Sequence, residues 1–290
     1  MTMLAAHMEE FGLGDFTGYL LRVAHDHAHR YAERALPGGP HPREYAVMTA
    51  LAAFGPVSQQ RLADRMLVNR TSMVAVADEL ERRGYAERRR DPEDRRSYAV
   101  QLTPAGRDEL ARLHDEIAGV DRAMTGALSD AERTRLNELL RTLVLPPSGD
   151  TVPAPLPDRS GFLVSRAHLL AREAGNDVLR PHGITVRHFG LLTLVGGRGP
   201  SSQQAIARAL MVSATMVTTL VDHVEALGLA ERRRDPGDRR TYLVTITPAG
   251  RRTLRRATAD FEALQARWAI ALGEDGDREL RVLLRKLIGA

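Results

Sequence analysis

RRRDPEDRR at residues 88–96 returns as RRRDPGDRR at residues 232–240, 144 residues further along the chain. Each stretch lies between two short runs of strand-forming residues. Asp-Pro followed by Glu or Gly is typical of a turn, because Pro fixes φ and Asp accepts hydrogen bonds from nearby backbone amides. Each copy therefore predicts a β-hairpin with arginines along its arms and at its tip, which suits a polyanionic partner. Taken alone, either copy is equally well read as a solvated surface turn.

The segment before the first hairpin favours the binding interpretation. Ser58 is predicted to cap a short helix that ends at Met66, and Asn69 to cap a second helix that ends near Arg83. Gly84 follows, as expected for the residue just after a helix. Two short helices joined by a tight turn and followed by a basic hairpin are the order of a winged helix-turn-helix domain.

Longer predicted helices flank this unit, and the whole order is then repeated. Helical spacing of apolar residues predicts helices over residues 18–36 and 42–54. A Thr-Pro start predicts a helix over residues 103–128, and a capping box formed by Ser129 and Glu132 predicts one over residues 129–144. Thr-Pro-Ala-Gly at residues 103–106 recurs letter for letter at residues 247–250. We therefore expect a mainly α fold with small β-hairpin wings, in which two tandem winged helix-turn-helix domains are joined by a helical, dimerisation-like region. The first lobe is predicted at residues 1–146, a Pro-rich linker at 147–157 and the second lobe at 158–290.

The composition excludes several classes of protein. The 290 residues are enough for two ordinary domains, and the formal net charge is +4. Because cysteine is absent, the chain has neither disulfides nor thiolate metal sites. No apolar run approaches the roughly 20 residues of a membrane span and no signal-peptide pattern opens the chain, so we expect a soluble cytoplasmic protein without a membrane partner. Motifs for phosphate loops, nucleotide-binding glycines and nucleophile elbows are missing, so we expect neither an enzyme nor a cofactor.

Three short motifs make the sequence recognisable. They are Leu-Glu-Arg-Arg-Gly-Tyr at residues 80–85, Asp-x-Arg at residues 94–96 and 238–240, and Leu-Thr-Pro-Ala-Gly at residues 102–106. With them, each half of the chain resembles a MarR-family transcriptional regulator. The resemblance implies dimers whose first and last helices intertwine and whose winged domains reach adjacent major grooves. Because both halves lie on one chain, it here implies a monomeric, fused pseudo-dimer that binds double-stranded DNA at an imperfect palindrome.

The residues expected at DNA lie on the second short helix and on the wing of each lobe. Arg70 is suited to bind guanine through two parallel hydrogen bonds, whereas its counterpart Ala214 offers only a methyl group, so we expect two operator arms that are read unequally. Asp94 and Asp238 are expected to hold neighbouring wing guanidinium groups in place. The predicted DNA-binding residues are Asn69, Arg70, Thr71, Ser72, Arg88, Arg90, Arg95, Arg96, Ser213, Thr215, Thr219, Arg232, Arg234, Arg239 and Arg240. Helix capping, solvent exposure and ion pairs inside the hairpin are the alternative roles.

The resemblance also implies a small-molecule effector, often an aromatic acid or phenol, held between the helical region and each winged domain. Aromatic rings beside Arg or His suit such an anion. The predicted ligand-binding residues are Tyr19, Arg22, His25, His29, Tyr45, Met48, Phe162, Arg166, His168, His188 and Phe189. Core packing is the alternative for Tyr45, Met48 and Phe189. His25 and His29 have the spacing of a metal-binding pair, but no third ligand is fixed by the sequence, so no metal site is predicted.

These observations together predict a sequence-specific DNA-binding transcriptional regulator. By family default it is a repressor, which a small aromatic or anionic ligand releases from DNA. The alternative is a ligand-sequestering or partner-binding protein with a winged fold that no longer binds an operator. Ala214 and Met216, in the less polar second recognition helix, favour that alternative.

Overall fold

The computed structural model describes residues 16–37, 41–66, 68–90, 98–145, 152–235, 237 and 241–289. The predicted wing-tip residues lie outside the described residues, namely Asp94, Arg95, Arg96, Asp238, Arg239 and Arg240, as do residues 147–151 of the predicted linker. The chain packs into two compact units. The first unit comprises Leu21–Leu169 and Arg278–Ile288. The second comprises Leu170–Asp277, the described residues up to Leu20, and Gly289.

Each half of the chain forms the same series of elements. The first half forms α1 (Thr17–Ala35), α2 (Pro42–Phe54), β1 (Val57–Ser58), α3 (Gln59–Met66), α4 (Arg70–Arg82), β2 (Ala86–Arg90), β3 (Tyr98–Leu102), α5 (Pro104–Met124) and α6 (Asp130–Val144). The second half forms α7 (Ser160–Leu179), α8 (Val186–Gly197), β4 (Ser201–Ser202), α9 (Gln203–Leu210), α10 (Ala214–Ala226), β5 (Ala230–Arg234), β6 (Tyr242–Ile246), α11 (Pro248–Leu272) and α12 (Glu274–Ile288). Short 3-10 turns at Leu156–Asp158 and Arg180–His182 flank α7.

The helix ends follow local signals in the sequence. The Asn69 side chain accepts a hydrogen bond from the Ser72 amide at 2.8 Å and so caps α4. Ser129 and Glu132 form a capping box at the start of α6. Gly84, after α4, has a φ of 75°, a left-handed conformation that glycine adopts without strain. These three predicted signals are confirmed.

Each wing is a three-stranded antiparallel sheet rather than a two-stranded hairpin. The strand order is β1-β3-β2 in the first unit and β4-β6-β5 in the second. Arg88 pairs with Val100, and Arg232 pairs in the same way with Val244. The added strands β1 and β4 contain two residues each, which is too short for an alternating pattern to predict them.

The repeated Thr-Pro-Ala-Gly motif ties the end of the second short helix to the base of the wing. The Thr103 hydroxyl donates to the Gly84 carbonyl at 2.7 Å and accepts from the Gly106 amide at 3.0 Å. A Cβ on Gly106 would lie 2.0 Å from the carbonyl oxygen of Tyr85, so no larger residue fits there. The equivalent contacts recur in the second unit with the same distances.

The two cores consist of equivalent residues. The fully buried set in the first unit includes Met48, Leu62, Met73, Leu80 and Leu113. The matching set in the second unit is Leu192, Ile206, Val217, Val224 and Ala257, also fully buried. Burial of each large aliphatic side chain contributes about 1.5–3 kcal/mol, so the helices and the sheet of each unit are held by one contiguous core. The predicted fold class, mainly helical with two winged helix-turn-helix domains, is confirmed.

Candidate nucleic-acid interface

The recognition helix of the first unit is α4, which presents polar side chains at its first turn. Met73, Ala77 and Leu80 bury its inner face. Arg70 and Thr71 are exposed, as the predicted base contacts require. The side-chain oxygen of Asn69 caps the helix, so the side-chain NH2 group is the donor that Asn69 can offer to another partner.

The recognition helix of the second unit is α10, which follows α9 across a bend of 110°. This angle lies within the 90–120° typical of helix-turn-helix motifs. Ser213 caps the helix by accepting from the Met216 amide at 3.2 Å, while Ala214 and Thr215 are exposed. The Thr219 hydroxyl donates to the Thr215 carbonyl at 3.2 Å. Among the described residues no single helix has the length and apolar character of a membrane span; only this bent pair passes that test, on length and composition, when its two helices are counted together.

An arginine at the base of each wing is fixed to the recognition helix by two carboxylates. The Arg88 amide donates to Glu81 at 2.9 Å, and its guanidinium contacts Glu81 as well as Asp78, the latter at 2.5 Å. Arg232 makes the same contacts with Glu225 and Asp222 in the second unit. These ion pairs favour a bracing role for both arginines over the predicted phosphate contact. Their described partners are acids of the recognition helix, whereas the alternative role indicated by the sequence is ion pairing inside the hairpin.

The exposed part of each wing carries an arginine opposite a tyrosine. Arg90 pairs with Tyr98 in the sheet, and Arg234 pairs with Tyr242. The two tyrosines are 58% and 46% exposed, which is uncommon for large aromatic side chains. The Arg234 guanidinium carbon lies 5.9 Å from the centre of the Tyr242 ring, and its Nε donates to the Tyr242 hydroxyl at 3.4 Å. Neither tyrosine is among the predicted DNA-binding residues, although hairpin pairing places each opposite an arginine.

Three of the predicted ligand-binding residues lie in the cores. Met48 and Tyr45 belong to the core of the first unit, where the Tyr45 hydroxyl lies 3.4 Å from Nδ1 of His114. Phe189 belongs to the core of the second unit and stacks on Phe261 with ring centres 4.7 Å apart. In this conformation the three side chains offer almost no surface to a ligand.

Histidines from separate elements come together in the first unit. His25 stacks on His168 with ring centres 4.8 Å apart, and its Nδ1 lies 3.1 Å from the Ser165 hydroxyl. Nε2 of His41 lies 3.3 Å from Nδ1 of His29, within hydrogen-bond distance. Burial and the neighbouring His29 lower the pKa of His41 to about 4, so this unpredicted histidine is neutral at pH 7. In the described part of the chain, no three His, Asp or Glu side chains are arranged to hold a metal ion.

The remaining predicted ligand residues have structural contacts. Arg22 forms an ion pair with Asp26 at 3.0 Å. Buried Arg166 donates to the backbone carbonyls of Val144 and Arg65 at 3.1 and 3.2 Å, and burial lowers its pKa. Phe162 is half-buried against the first core, Tyr19 is half-buried in the second unit, and His188 is buried at the start of α8. The predicted set is therefore not gathered into one pocket within either unit.

Comparison with known proteins supports the resemblance. A family model described as MarR family matches residues 39–97 and 182–241, which contain the helix-turn-helix and the first hairpin strand of each unit. A protein of Thauera aromatica, named for transcriptional regulation of the hcr operon, is 38% identical over 105 residues, or 36% of this chain and 63% of that protein. The uncharacterized HTH-type transcriptional regulator YkoM of Bacillus subtilis is 36% identical over 104 residues, or 36% of this chain and 67% of that protein.

Among solved structures, a MarR-family transcriptional regulator from Rhodococcus sp. RHA1 is similar to part of this chain. It shares 29% sequence identity over 47% of this chain and 97% of its own, with a TM-score of 0.43. The chain spans just under two thirds of the length of the Thauera protein. The named relatives are transcriptional regulators rather than enzymes. On the strength of the two family-model matches and these relatives, the chain belongs to the MarR family of transcriptional regulators.

Proposed function

We propose that this chain is a sequence-specific DNA-binding repressor that carries both of its DNA-reading heads on one polypeptide. One observation carries the proposal: in each unit the recognition helix has an exposed first turn, and the later part of that helix is held to an arginine-bearing wing by the same ion pairs. Exposed helix starts of this kind read base edges, and arginine side chains neutralise phosphate. Repression is the default that the family resemblance implies.

The single-chain pseudo-dimer is supported by the composition of the two units. In the first unit, Asp121 of α5 accepts hydrogen bonds from the amides of Ser160 and Gly161, at the start of α7. In the second unit, the Thr17 hydroxyl at the start of α1 donates to Asp277 at 2.8 Å. Each unit thus takes the start of a helix from the other half of the sequence, as intertwined subunits of a dimer do.

The charge pairs at the chain end follow the same pattern. Within the first unit, Glu279 and Lys286 of α12 form ion pairs with Arg135 and Glu132 of α6, at 2.8 and 2.7 Å. If the two halves already complete each other, no second copy of the chain is required for a two-headed regulator. We therefore expect a 32.0 kDa monomer that binds one duplex per chain, as measured by sedimentation.

The decisive experiment is selection of bound duplexes from random DNA with the full chain. We expect enrichment of one site with two arms of approximate twofold symmetry, whose sequences differ because Arg70 faces one arm and Ala214 the other. Footprinting on the selected site then measures the protection of each arm. If no sequence is enriched, the alternative function as a ligand- or partner-binding protein replaces this proposal.

Release by a small aromatic anion is the second part of the proposal. The resemblance implies it, and the neighbouring His25, His29 and His168 supply imidazole groups that suit an anion when protonated. Salicylate at millimolar concentration should weaken binding of the selected duplex, whereas cyclohexanecarboxylate, which lacks the aromatic ring, should act less. An unchanged affinity with both compounds would remove this part of the proposal and leave DNA binding intact.

A further inference from the structure

The recognition helix of each unit contacts the first turn of the preceding long helix through different side chains. In the second unit, His188 of α8 meets His223 of α10 with ring centres 4.5 Å apart and planes 82° apart. The positions 144 residues earlier in the chain are Glu44 of α2 and Glu79 of α4. There, Nε of Arg83 lies 2.6 Å from Glu79 and 3.9 Å from Glu44. The same place in the fold thus holds two imidazoles in one unit and an ion-pair network in the other.

The contacts of His188 require its neutral form. The Thr185 amide donates to Nδ1 of His188 at 3.1 Å, and the Thr185 hydroxyl lies 2.9 Å from the same nitrogen. An amide hydrogen bond to Nδ1 is possible only when that nitrogen carries no proton. The His188 side chain is buried, and burial together with the adjacent His223 lowers its pKa to about 4. In the described residues, His223 is the titratable group whose charge acts on it.

The first unit responds to acid in the opposite sense. Glu44 is buried, and burial raises its pKa although Arg83 opposes the change. Lowering the pH therefore neutralises Glu44 in place instead of adding a charge. Hydrogen bonds from Arg82 and Arg83 lower the pKa of Glu79 to about 2, so this carboxylate stays ionised on α4 at any pH near neutrality. The ion pair between Arg83 and Glu79, which anchors this network on α4, is therefore kept between pH 7 and pH 5.

We propose that His188 is a positioning residue for the second recognition helix and that its contact with His223 makes the second head, but not the first, open under mild acid. Protonation of His188 breaks the Thr185 hydrogen bond and places a buried charge against the second imidazole. An opening that frees α10 returns His188 to water. The consequence for DNA rests on the proposed function, whereas the opening itself does not.

The sign of the effect follows from proton linkage. The pKa of His188 is lower in the folded state than in the opened state, where it has the ordinary histidine pKa of 6.5. The closed form is therefore favoured above pH 6.5 and loses that advantage as the pH falls towards 4. From pH 7 to pH 5 the opening equilibrium of α10 should rise by roughly 20-fold.

Hydrogen exchange of the full chain tests this opening directly. After correction for intrinsic exchange rates, protection of residues 217–226 should fall roughly 20-fold from pH 7 to pH 5, while protection of residues 73–82 should not. His188→Gln keeps an acceptor suited to the capping box but cannot titrate, so the pH dependence should vanish. His188→Ala removes the acceptor and should open α10 already at pH 7. The proposal would be overturned if protection depended on pH equally in the wild type and in His188→Gln. It would also be overturned if α4 and α10 lost protection equally.

DNA binding supplies a second readout. On the selected duplex, base changes in the arm read by α10 should lower the DNA affinity at pH 7 but no longer at pH 5. Base changes in the other arm should lower the affinity at both pH values. His188→Gln should restore the effect of both arms at pH 5. If DNA is bound but the two arms respond alike to pH, the inference fails. If DNA is bound at no pH, the proposed function fails, while the exchange experiment still decides the role of His188.

Discussion

The two units keep one framework and differ at the surfaces of their recognition helices. The hydroxyl that ties the wing to the preceding helix lies 2.7 Å from its carbonyl partner in both units. The amide that joins the wing base to the recognition-helix carboxylate lies at 2.9 and 2.7 Å. By contrast, the position of Arg70 in the first unit is occupied by Ala214 in the second, and the position of Glu44 is occupied by His188. The contacts with backbone are thus the same in both units, whereas the side chains at these two pairs of positions are not.

This difference separates two kinds of experiment. A substitution in the shared framework should damage both units alike, because the same backbone atoms are displaced. A substitution on the divergent surfaces should act on one unit and on one operator arm. The comparison fails if the first kind acts unequally or the second kind acts equally.

The largest effect is expected for Gly106→Ala and Gly250→Ala. The added Cβ would lie 2.0 Å from a backbone carbonyl oxygen in each unit, a distance that only a backbone shift can relieve. We expect each variant to lower the free energy of unfolding of its unit by more than about 3 kcal/mol. Urea denaturation followed by circular dichroism measures this loss, which should be similar for the two variants.

Gly119→Ala is the matched control for these glycines. Gly119 also lies in α5, and no atom is near enough to meet its added Cβ. Because alanine favours a helix over glycine, this variant should be stabilised by up to about 1 kcal/mol. A loss of stability at Gly119 comparable to that at Gly106 would show that helix context, not the close carbonyl, decides the outcome.

Exchanging the divergent residues of the recognition helices should have the next largest effect. Arg70→Ala should relax base preference in one arm by about 1–3 kcal/mol, because a guanidinium that binds guanine twice is lost. Ala214→Arg should introduce a preference in the other arm. Binding of duplexes with single base changes, measured by fluorescence anisotropy, gives both values. Equal losses in the two arms after Arg70→Ala would contradict the unequal reading.

The ends of the helices could be predicted from the sequence because the signals that set them are local. Asn69, Gly84 and Ser129 act on residues within one helical turn, and each behaves as the spacing indicates. The partners of Arg88 could not be predicted in the same way. They lie on the preceding helix, 7 and 10 residues earlier, and nearer hairpin acids compete for the same guanidinium in any reading of the sequence. Contacts between elements depend on packing that no local pattern encodes.

The braces between wing and recognition helix should have an intermediate effect. Arg88→Ala removes the cation that neutralises Asp78 and Glu81, so two carboxylates are left unpaired close to the DNA. The wing also loses the ion pairs that fix its position on the recognition helix. We expect DNA affinity to fall by about 1–2 kcal/mol, with a measurable loss of stability, since the pair is only partly buried. Arg232→Ala should behave in the same way in the second unit. Anisotropy and urea denaturation of each variant measure the two quantities.

Arg89→Ala is the control for the braces. Arg89 is exposed beside Arg88 and pairs only with Glu87 of its own strand among the described residues. Its loss should leave stability unchanged and reduce the slope of affinity against salt concentration by about one. If Arg88→Ala instead lowers DNA affinity without any change in stability, Arg88 is a phosphate contact, as expected from the sequence alone.

The smallest effect is expected for the exposed tyrosines of the wings. Tyr242→Ala removes the ring that lies against Arg234 and should weaken DNA binding by about 0.5–1 kcal/mol with no loss of stability, because the ring is exposed. Tyr242→Phe keeps the ring and loses only the long hydrogen bond to Arg234, so most of the affinity should return. Tyr98→Ala should have an effect of similar size, since it occupies the same register in the other wing. If either alanine variant destabilises its unit, the tyrosine supports the wing itself; unchanged DNA affinity would exclude both tyrosines from the interface.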